Sequence, residues 1–224
     1  MGYENSNEDG MMSLVEHLNS IHDPAKNGLT YLTDYSLEEA QLMLNSEEWT
    51  RAVFVREPKE RILSAYLDKF RLVPEFFDAA CCHKGLLNET GVLECRNKVH
   101  QPGGDFSYFL KRASQDCPNR HWNPQINNID VKWWDAMTFV GYLDSLASHA
   151  QILFSSIYSS SSLTPGESAW ELYGKSGWGP NGSTSPFLVR DTTIHATNAH
   201  DILRQYYTPR DEKLVEAHWA VEWE

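Results

Sequence analysis

Apolar positions along this chain fall into two recurring patterns: short unbroken runs, and stripes at helical spacing. Their order predicts an α/β architecture. The clearest case is 51–70, RAVFVREPKERILSAYLDKF. Ala52-Val53-Phe54-Val55 is a short run of β-branched and aromatic residues without polar alternation, the pattern of a strand buried on both faces. Arg56 closes it. Glu57-Pro58 then breaks the strand, and Pro58 suits the first position of a helix because it has no N–H to lose there. Ile62, Leu63, Tyr66 and Phe70 recur at helical spacing, so a helix is expected from 58 to about 70.

The rest of the chain repeats these signals. Leu14, Val15, Leu18 and Ile21 predict an amphipathic helix over 11–21, and 29–32 reads as a short strand. Ser36-Leu37-Glu38-Glu39 is a capping box that opens a helix. The segment 74–104 reads as irregular, with a short helix near 76–82. Asp105 caps a helix whose apolar face is Phe106, Phe109, Leu110 and Ala113. The run 136–140 is a second strand, with Asp144 capping a helix through Leu146, Ala150, Leu153, Phe154 and Ile157. The Ser-, Gly- and Pro-rich stretch 155–186 reads as a mobile loop or insertion. A helix through Ile202, Leu203 and Tyr206 follows, and Thr208-Pro209 starts another. Two buried runs, each followed by a capped helix, predict a parallel sheet with 51–56 and 136–140 as central strands and helices on both faces. At 224 residues, 1–224 is expected to form one domain.

The strand–turn–helix at 51–70 carries the first chemistry. In an open α/β sheet, ligands bind at the carboxyl ends of strands, and a helix N-terminus attracts anions. Arg56 stands at that end with a planar fork of donors, and Ser64, about two turns into the helix, adds a hydroxyl. The pair suits a phosphate monoester. The rival reading pairs Arg56 with Glu57 or Asp68 and makes Ser64 a small packing residue.

Charge and cysteines narrow the class. The formal net charge of −12 argues against non-specific binding to nucleic acid or an anionic membrane. No stretch is long and apolar enough to span a bilayer, and the acidic N-terminus is not a signal peptide. Cys81, Cys82, Cys95 and Cys117 cluster in one segment, which predicts pairing of Cys81 or Cys82 with Cys95 or Cys117 in an oxidising lumen. A zinc site with His83 as fourth ligand is the rival, and no paired C-x-x-C spacing supports it. Asn88-Glu89-Thr90 and Asn181-Gly182-Ser183 are glycosylation sequons.

FVREPKERILSAYLDKF closely resembles the 3′-phosphate-binding segment of the Golgi carbohydrate sulfotransferases, in particular the group of chondroitin 4-O-, dermatan 4-O- and HNK-1 sulfotransferases. That segment typically reads FVRDPFERLLSAYRDKF, which Phe54, Val55, Arg56, Pro58, Glu60, Arg61, Leu63, Ser64, Ala65, Tyr66, Asp68, Lys69 and Phe70 match. His121-Trp122-Asn123-Pro124-Gln125, the strand and helix around 136–157, and the HATNA…YYTP stretch resemble later parts of the family, so the likeness runs unevenly from about Tyr31 to Trp223. It implies a P-loop-like sulfotransferase fold, a central parallel sheet flanked by helices. It implies 3′-phosphoadenosine 5′-phosphosulfate (PAPS) as co-substrate, with no metal, and Arg56 and Ser64 on the 3′-phosphate. The acceptor would be a glycan hydroxyl, and the parent protein would be anchored in the Golgi.

The family's phosphosulfate loop, roughly C-P-K-V-G-C-S-x-W, has no match before Tyr31, so the expectation is an N-terminally truncated chain without loop or anchor. The expected reaction is in-line sulfuryl transfer, with His121 the first candidate for general base and His195 a weaker one. The alternative is an inactive nucleotide- or glycan-binding protein of the same fold. A P-loop kinase ranks last, because no G-x-x-x-x-G-K-[ST] occurs.

Overall fold

The computed structural model describes residues 30–157, 169–174 and 197–219. These group into two compact units, one drawn from residues up to 52 and from 145–190, the other from 53–144 and from 191 onward.

In the first unit, Ser36 and Glu39 form the expected capping box, and helix α1 runs Leu37–Asn45. Arg51 closes its carboxyl end, with Nη1 donating to the Ser46 carbonyl at 2.6 Å. A cation there complements the helix dipole. Leu32 lies in a 3-10 turn, Leu32–Asp34, rather than in a strand, because the Asp34 side chain bonds back to the Tyr31 amide at 2.7 Å and curls the backbone. The later helix of this unit, which we call α6, spans Leu146–Ile157 and packs on a short π-helical turn, Trp170–Gly174, through Phe154 and Trp170. The expected mobile loop thus lies largely outside the described residues, as do the 11–21 helix, the Asn181 sequon and His195.

The second unit opens on strand β1, Ala52–Val55, which pairs with β2, Phe139–Tyr142, in a small parallel two-stranded sheet. β1 is half-buried rather than buried on both faces. The second strand begins three residues later than the sequence pattern predicts. Asp130 caps a 3-10 turn, and the Ala136 and Met137 amides bond back to Trp133 and Trp134, so neither residue can extend. Gly141 permits the pairing: a Cβ there would sit 2.4 Å from the Phe54 ring.

Helix α2, Pro58–Tyr66, starts as predicted, with Pro58 at its first turn and the Glu57 carboxylate accepting from the Glu60 amide at 2.8 Å. It continues as a π-helical turn, Leu67–Leu72, instead of ending in α geometry at Phe70. Val73, restricted by the following Pro74, leaves the helix there, and its amide bonds five residues back to Asp68. The segment 74–104 holds more regular structure than its mixed composition predicts. Helix α3 spans Pro74–Cys81 and α4 spans Glu89–Val99. Asn88, read above as a sequon, caps α4 by accepting from the Gly91 amide, and Val92, Cys95 and Val99 form its buried stripe. Helix α5, Phe106–Gln115, is capped by Asp105 as expected. Helices α7, Ala199–Tyr206, and α8, Pro209–Trp219, complete the unit.

The disulfides are Cys81–Cys117 and Cys82–Cys95, each with Cα atoms 5.4 Å apart. Both agree with the expected pairing. The first ties α3 to the end of α5, the second ties α3 to α4. Zinc coordination by these cysteines is thereby ruled out, because a disulfide sulfur is not a thiolate ligand.

Around them lies an aromatic core. Phe109 packs edge-on against Phe70 at 5.7 Å and Trp122 at 5.6 Å, and Tyr66 stacks on Phe70 at 5.3 Å. The Tyr66 hydroxyl requires a glycine opposite it: Gly104 has φ +67°, and a Cβ there would lie 2.5 Å from that oxygen. Burial pushes the Tyr66 phenol up to about 12, keeping it neutral.

Candidate anion site at the end of the first strand

Arg56 leaves β1 just before α2 begins. Its backbone is fixed by a side chain from far along the chain. Gln125 Oε1 accepts from the Arg56 amide at 2.9 Å, and Gln125 Nε2 donates to the Arg56 carbonyl at 2.7 Å. The amide side chain therefore extends the ladder as a neighbouring strand would. The Arg56 side chain is 22% exposed, and its Nε lies 3.5 Å from Glu60 Oε2. Its terminal nitrogens have no partner among the described residues. The rival pairing with Glu57 or Asp68 is not what the structure holds. Glu57 caps the helix, and Asp68 pairs with Lys69 at 3.0 Å.

Ser64 is half-buried on α2. Its Oγ accepts a hydrogen bond from Thr197 Oγ1 at 2.9 Å. A hydroxyl that accepts in this way keeps its own proton available to donate. Thr197 precedes α7, whose first residues follow Asn198 in the left-handed conformation at φ 49°.

The turn that carries His121 is held against α2 by Arg61. Its guanidinium donates to the His121 carbonyl at 3.1 Å and to the Asn123 carbonyl. With Gln125 on Arg56, the HWNPQ stretch and the strand–turn–helix become one substructure. The His121 ring packs edge-on against Phe76, with centroids 5.1 Å apart, and Lys69 lies over the same Phe76 ring. Trp122 anchors the turn from below: it is fully buried, and its Nε1 donates to the Cys117 carbonyl at 2.7 Å.

Glu60 is the buried acid of this region, at 5% exposure. One oxygen pairs with His200 Nδ1 from α7, and the other faces Arg56 Nε without a hydrogen bond. The hydrogen bond and charge of Glu60 raise the His200 pKa above the ordinary imidazole value. Two shallow concavities, ≈ 290 Å³ beside α4 and ≈ 220 Å³ between Phe70 and the 100–104 turn, are lined by none of Arg56, Ser64 and His121. Among the described residues, no cluster of His, Cys, Asp and Glu is arranged to hold a metal ion.

A model described as "Sulfotransferase family" matches residues 4–163. The chain belongs to the sulfotransferase family. Its curated relatives include carbohydrate sulfotransferase 10 of Homo sapiens, 29% identical over 155 residues that cover 66% of this chain and 39% of that protein. The Xenopus laevis protein of the same name is 39% identical over 70 residues, 30% of this chain and 19% of that protein. The Rattus norvegicus protein is 29% identical over 131 residues, 56% and 34% of the two chains. The matches therefore span well under half the length of these relatives. No solved structure matches the chain.

Arg56, Ser64 and the HWNPQ stretch all lie inside the family match, whereas Thr197 and His200 lie beyond it. Glu60, Thr197 and His200 all fall in stretches that resemble the family, but no role is legible for them in the sequence, because their pairings join residues 133 and 140 positions apart. Arg61 and Gln125 belong to recognised stretches, but their role as clamps depends on partners 60 or more positions away. No helix among the described residues is long and apolar enough to cross a membrane.

Proposed function

We propose that this chain is the nucleotide-binding part of a carbohydrate O-sulfotransferase that uses PAPS, with Arg56 and Ser64 holding the donor's 3′-phosphate. The observation that carries the reading is Arg56 itself. It stands at a strand exit beside a helix N-terminus, with its backbone clamped and its terminal guanidinium nitrogens unpartnered. Ser64, held by Thr197 with its own proton to give, adds the second donor. In the reaction, a sugar hydroxyl attacks sulfur as the bond to the phosphate oxygen breaks, and adenosine 3′,5′-bisphosphate leaves with the electron pair. His121 takes the hydroxyl proton. The two disulfides support an oxidising lumen such as the Golgi. Asn88 supports a glycoprotein: its Oδ1 caps α4, while glycosylation would use the other atom, Nδ2.

Calorimetric titration with adenosine 3′,5′-bisphosphate tests the site. Arg56→Ala removes charge-assisted donors and is expected to cost about 2–4 kcal/mol of binding, and Ser64→Ala about 1 kcal/mol. Binding no tighter than that of adenosine 5′-monophosphate would reject the 3′-phosphate assignment. Binding without sulfate transfer by the full protein would instead assign it to the inactive class.

A further inference from the structure

Glu60 is a buried carboxylate with two cationic neighbours of different kinds. Arg56 is charged at every working pH, and His200 is charged only below its pKa. The Glu60 oxygen near Arg56 Nε, at 3.5 Å, has no hydrogen bond, while the other oxygen pairs with His200 Nδ1. A buried carboxylate left with one uncompensated oxygen draws the nearest cation toward it.

We propose that Glu60 is the positioning residue of Arg56, and that His200, by pairing with the same carboxylate, sets how much of the Arg56 charge reaches a bound phosphate. The inference rests on the reading of Arg56 as a phosphate ligand. It deepens that reading by adding a control on the site.

The sign follows from the charges. When His200 is protonated, two cations share one carboxylate, and Arg56 keeps a surplus for the phosphate. When His200 loses its proton, Glu60 is compensated by Arg56 alone, and the guanidinium is held toward the carboxylate. Phosphate affinity therefore falls as pH rises through the His200 titration. The charges that raise the His200 pKa are Glu60 from α2, Asp201 on its own helix, and Asp144 after β2, while Arg56 competes for the same Glu60 carboxylate. The three carboxylates delay loss of the proton and move the change above the ordinary imidazole value. The His200 side chain is 73% exposed, so solvent and salt screen the pair. An effect of about two- to five-fold in affinity is expected at low salt, the range measured for exposed ion pairs.

The experiment is titration of adenosine 3′,5′-bisphosphate into the wild-type chain, His200→Gln, Glu60→Gln and the double variant, across roughly pH 6 to 8.5, the window around a raised imidazole pKa. The nucleotide's own second phosphate ionisation near pH 6 acts in the opposite direction, so each profile is read relative to His200→Gln. The wild-type affinity is expected to fall about two- to five-fold relative to that variant as pH rises. Glu60→Gln should abolish the difference, and the double variant should match Glu60→Gln alone. A merely structural Glu60 would lower the melting temperature and leave the wild-type profile parallel to that of His200→Gln, and that result overturns the proposal.

An NMR titration of the His200 ring reads the same coupling without nucleotide. Its midpoint should drop in Glu60→Gln and rise in Arg56→Ala, where a competing cation is gone. If the wild type binds no nucleotide at any pH, the phosphate reading fails by itself. The ring titration then decides the network: a midpoint unmoved in both variants overturns it, and a shifted one upholds it.

Discussion

Arg61 illustrates how one residue can hold two parts of a site together. It lies within the stretch that resembles the 3′-phosphate segment, and its guanidinium donates to the His121 and Asn123 carbonyls. Those carbonyls belong to a turn with little regular structure to bond them. Replacing Arg61 with Met keeps much of the stem and removes the donors. The expected cost is about 2–4 kcal/mol in urea denaturation, since charge-assisted bonds are lost and two carbonyls lose their partner. Nucleotide affinity should fall with it, because the freed turn no longer holds Gln125 on the Arg56 backbone. Unchanged affinity in a folded Arg61→Met protein would show that the Gln125 clamp stands without Arg61. Asp211 has a comparable role in α8. It is buried and accepts from the Thr208 hydroxyl at 2.7 Å and from the Ser107 hydroxyl at 2.8 Å, so one carboxylate caps its own helix and ties it to α5.

At the scale of elements, the 74–117 region depends on cross-links. Helices α3, α4 and α5 are short, between 8 and 11 residues each. Isolated helices of that length are marginal in water. The disulfides bind α3 to its two neighbours, and buried Arg112 adds a hydrogen bond to the Cys81 carbonyl at 2.6 Å. The two bridges close loops of different size, with sequence separations of 36 and 13. In the chain-entropy picture, removing Cys81–Cys117 by paired serine substitution should cost about 4 kcal/mol, and removing Cys82–Cys95 about 3 kcal/mol. Urea denaturation of the two double variants gives the ranking. The reverse order would mean that strain or packing at the cysteines, not loop closure, sets their contribution.

At the scale of the larger unit, distant stretches of chain share one aromatic core. Trp219, at the end of α8, is fully buried, and its Nε1 donates to the Trp122 carbonyl at 2.7 Å. Tyr207 donates to the Lys59 carbonyl at 2.8 Å, and its burial raises its phenol well above the usual range, so it stays a donor at working pH. The segment 207–219 thereby supports both α2 and the turn that bears His121. Trp219→Ala is expected to cost about 3–5 kcal/mol, the range for deleting a large buried aromatic. Hydrogen exchange should also quicken at the amides of Trp122 and Asn123. Loss of stability with exchange unchanged at those two amides would confine Trp219 to general packing.

Much of the described structure follows from local signals in the sequence. The run 52–55, Pro58 at a helix start, the Ser36 and Asp105 caps and the stripe on α5 depend on residues a few positions apart, and each appears where those signals place it. The cysteine clustering likewise restricts the pairing. The placement of β2 and helix α4 were missed for local reasons too: back-bonding turns delay the strand, and an asparagine cap was read as a modification signal. The contacts around Arg56 are different in kind. Gln125 on its backbone, Thr197 on Ser64, and His200 on Glu60 join residues separated by 69, 133 and 140 positions. No periodicity or cap encodes such pairs. They arise because the aromatic core brings α7 and the 121–125 turn against α2, and a buried polar group then takes the partner that packing brings within reach. The sequence alone determined which residue types stand at the strand exit; only the tertiary structure decided which of their donors are engaged by other parts of the chain, because those partners lie far away in sequence.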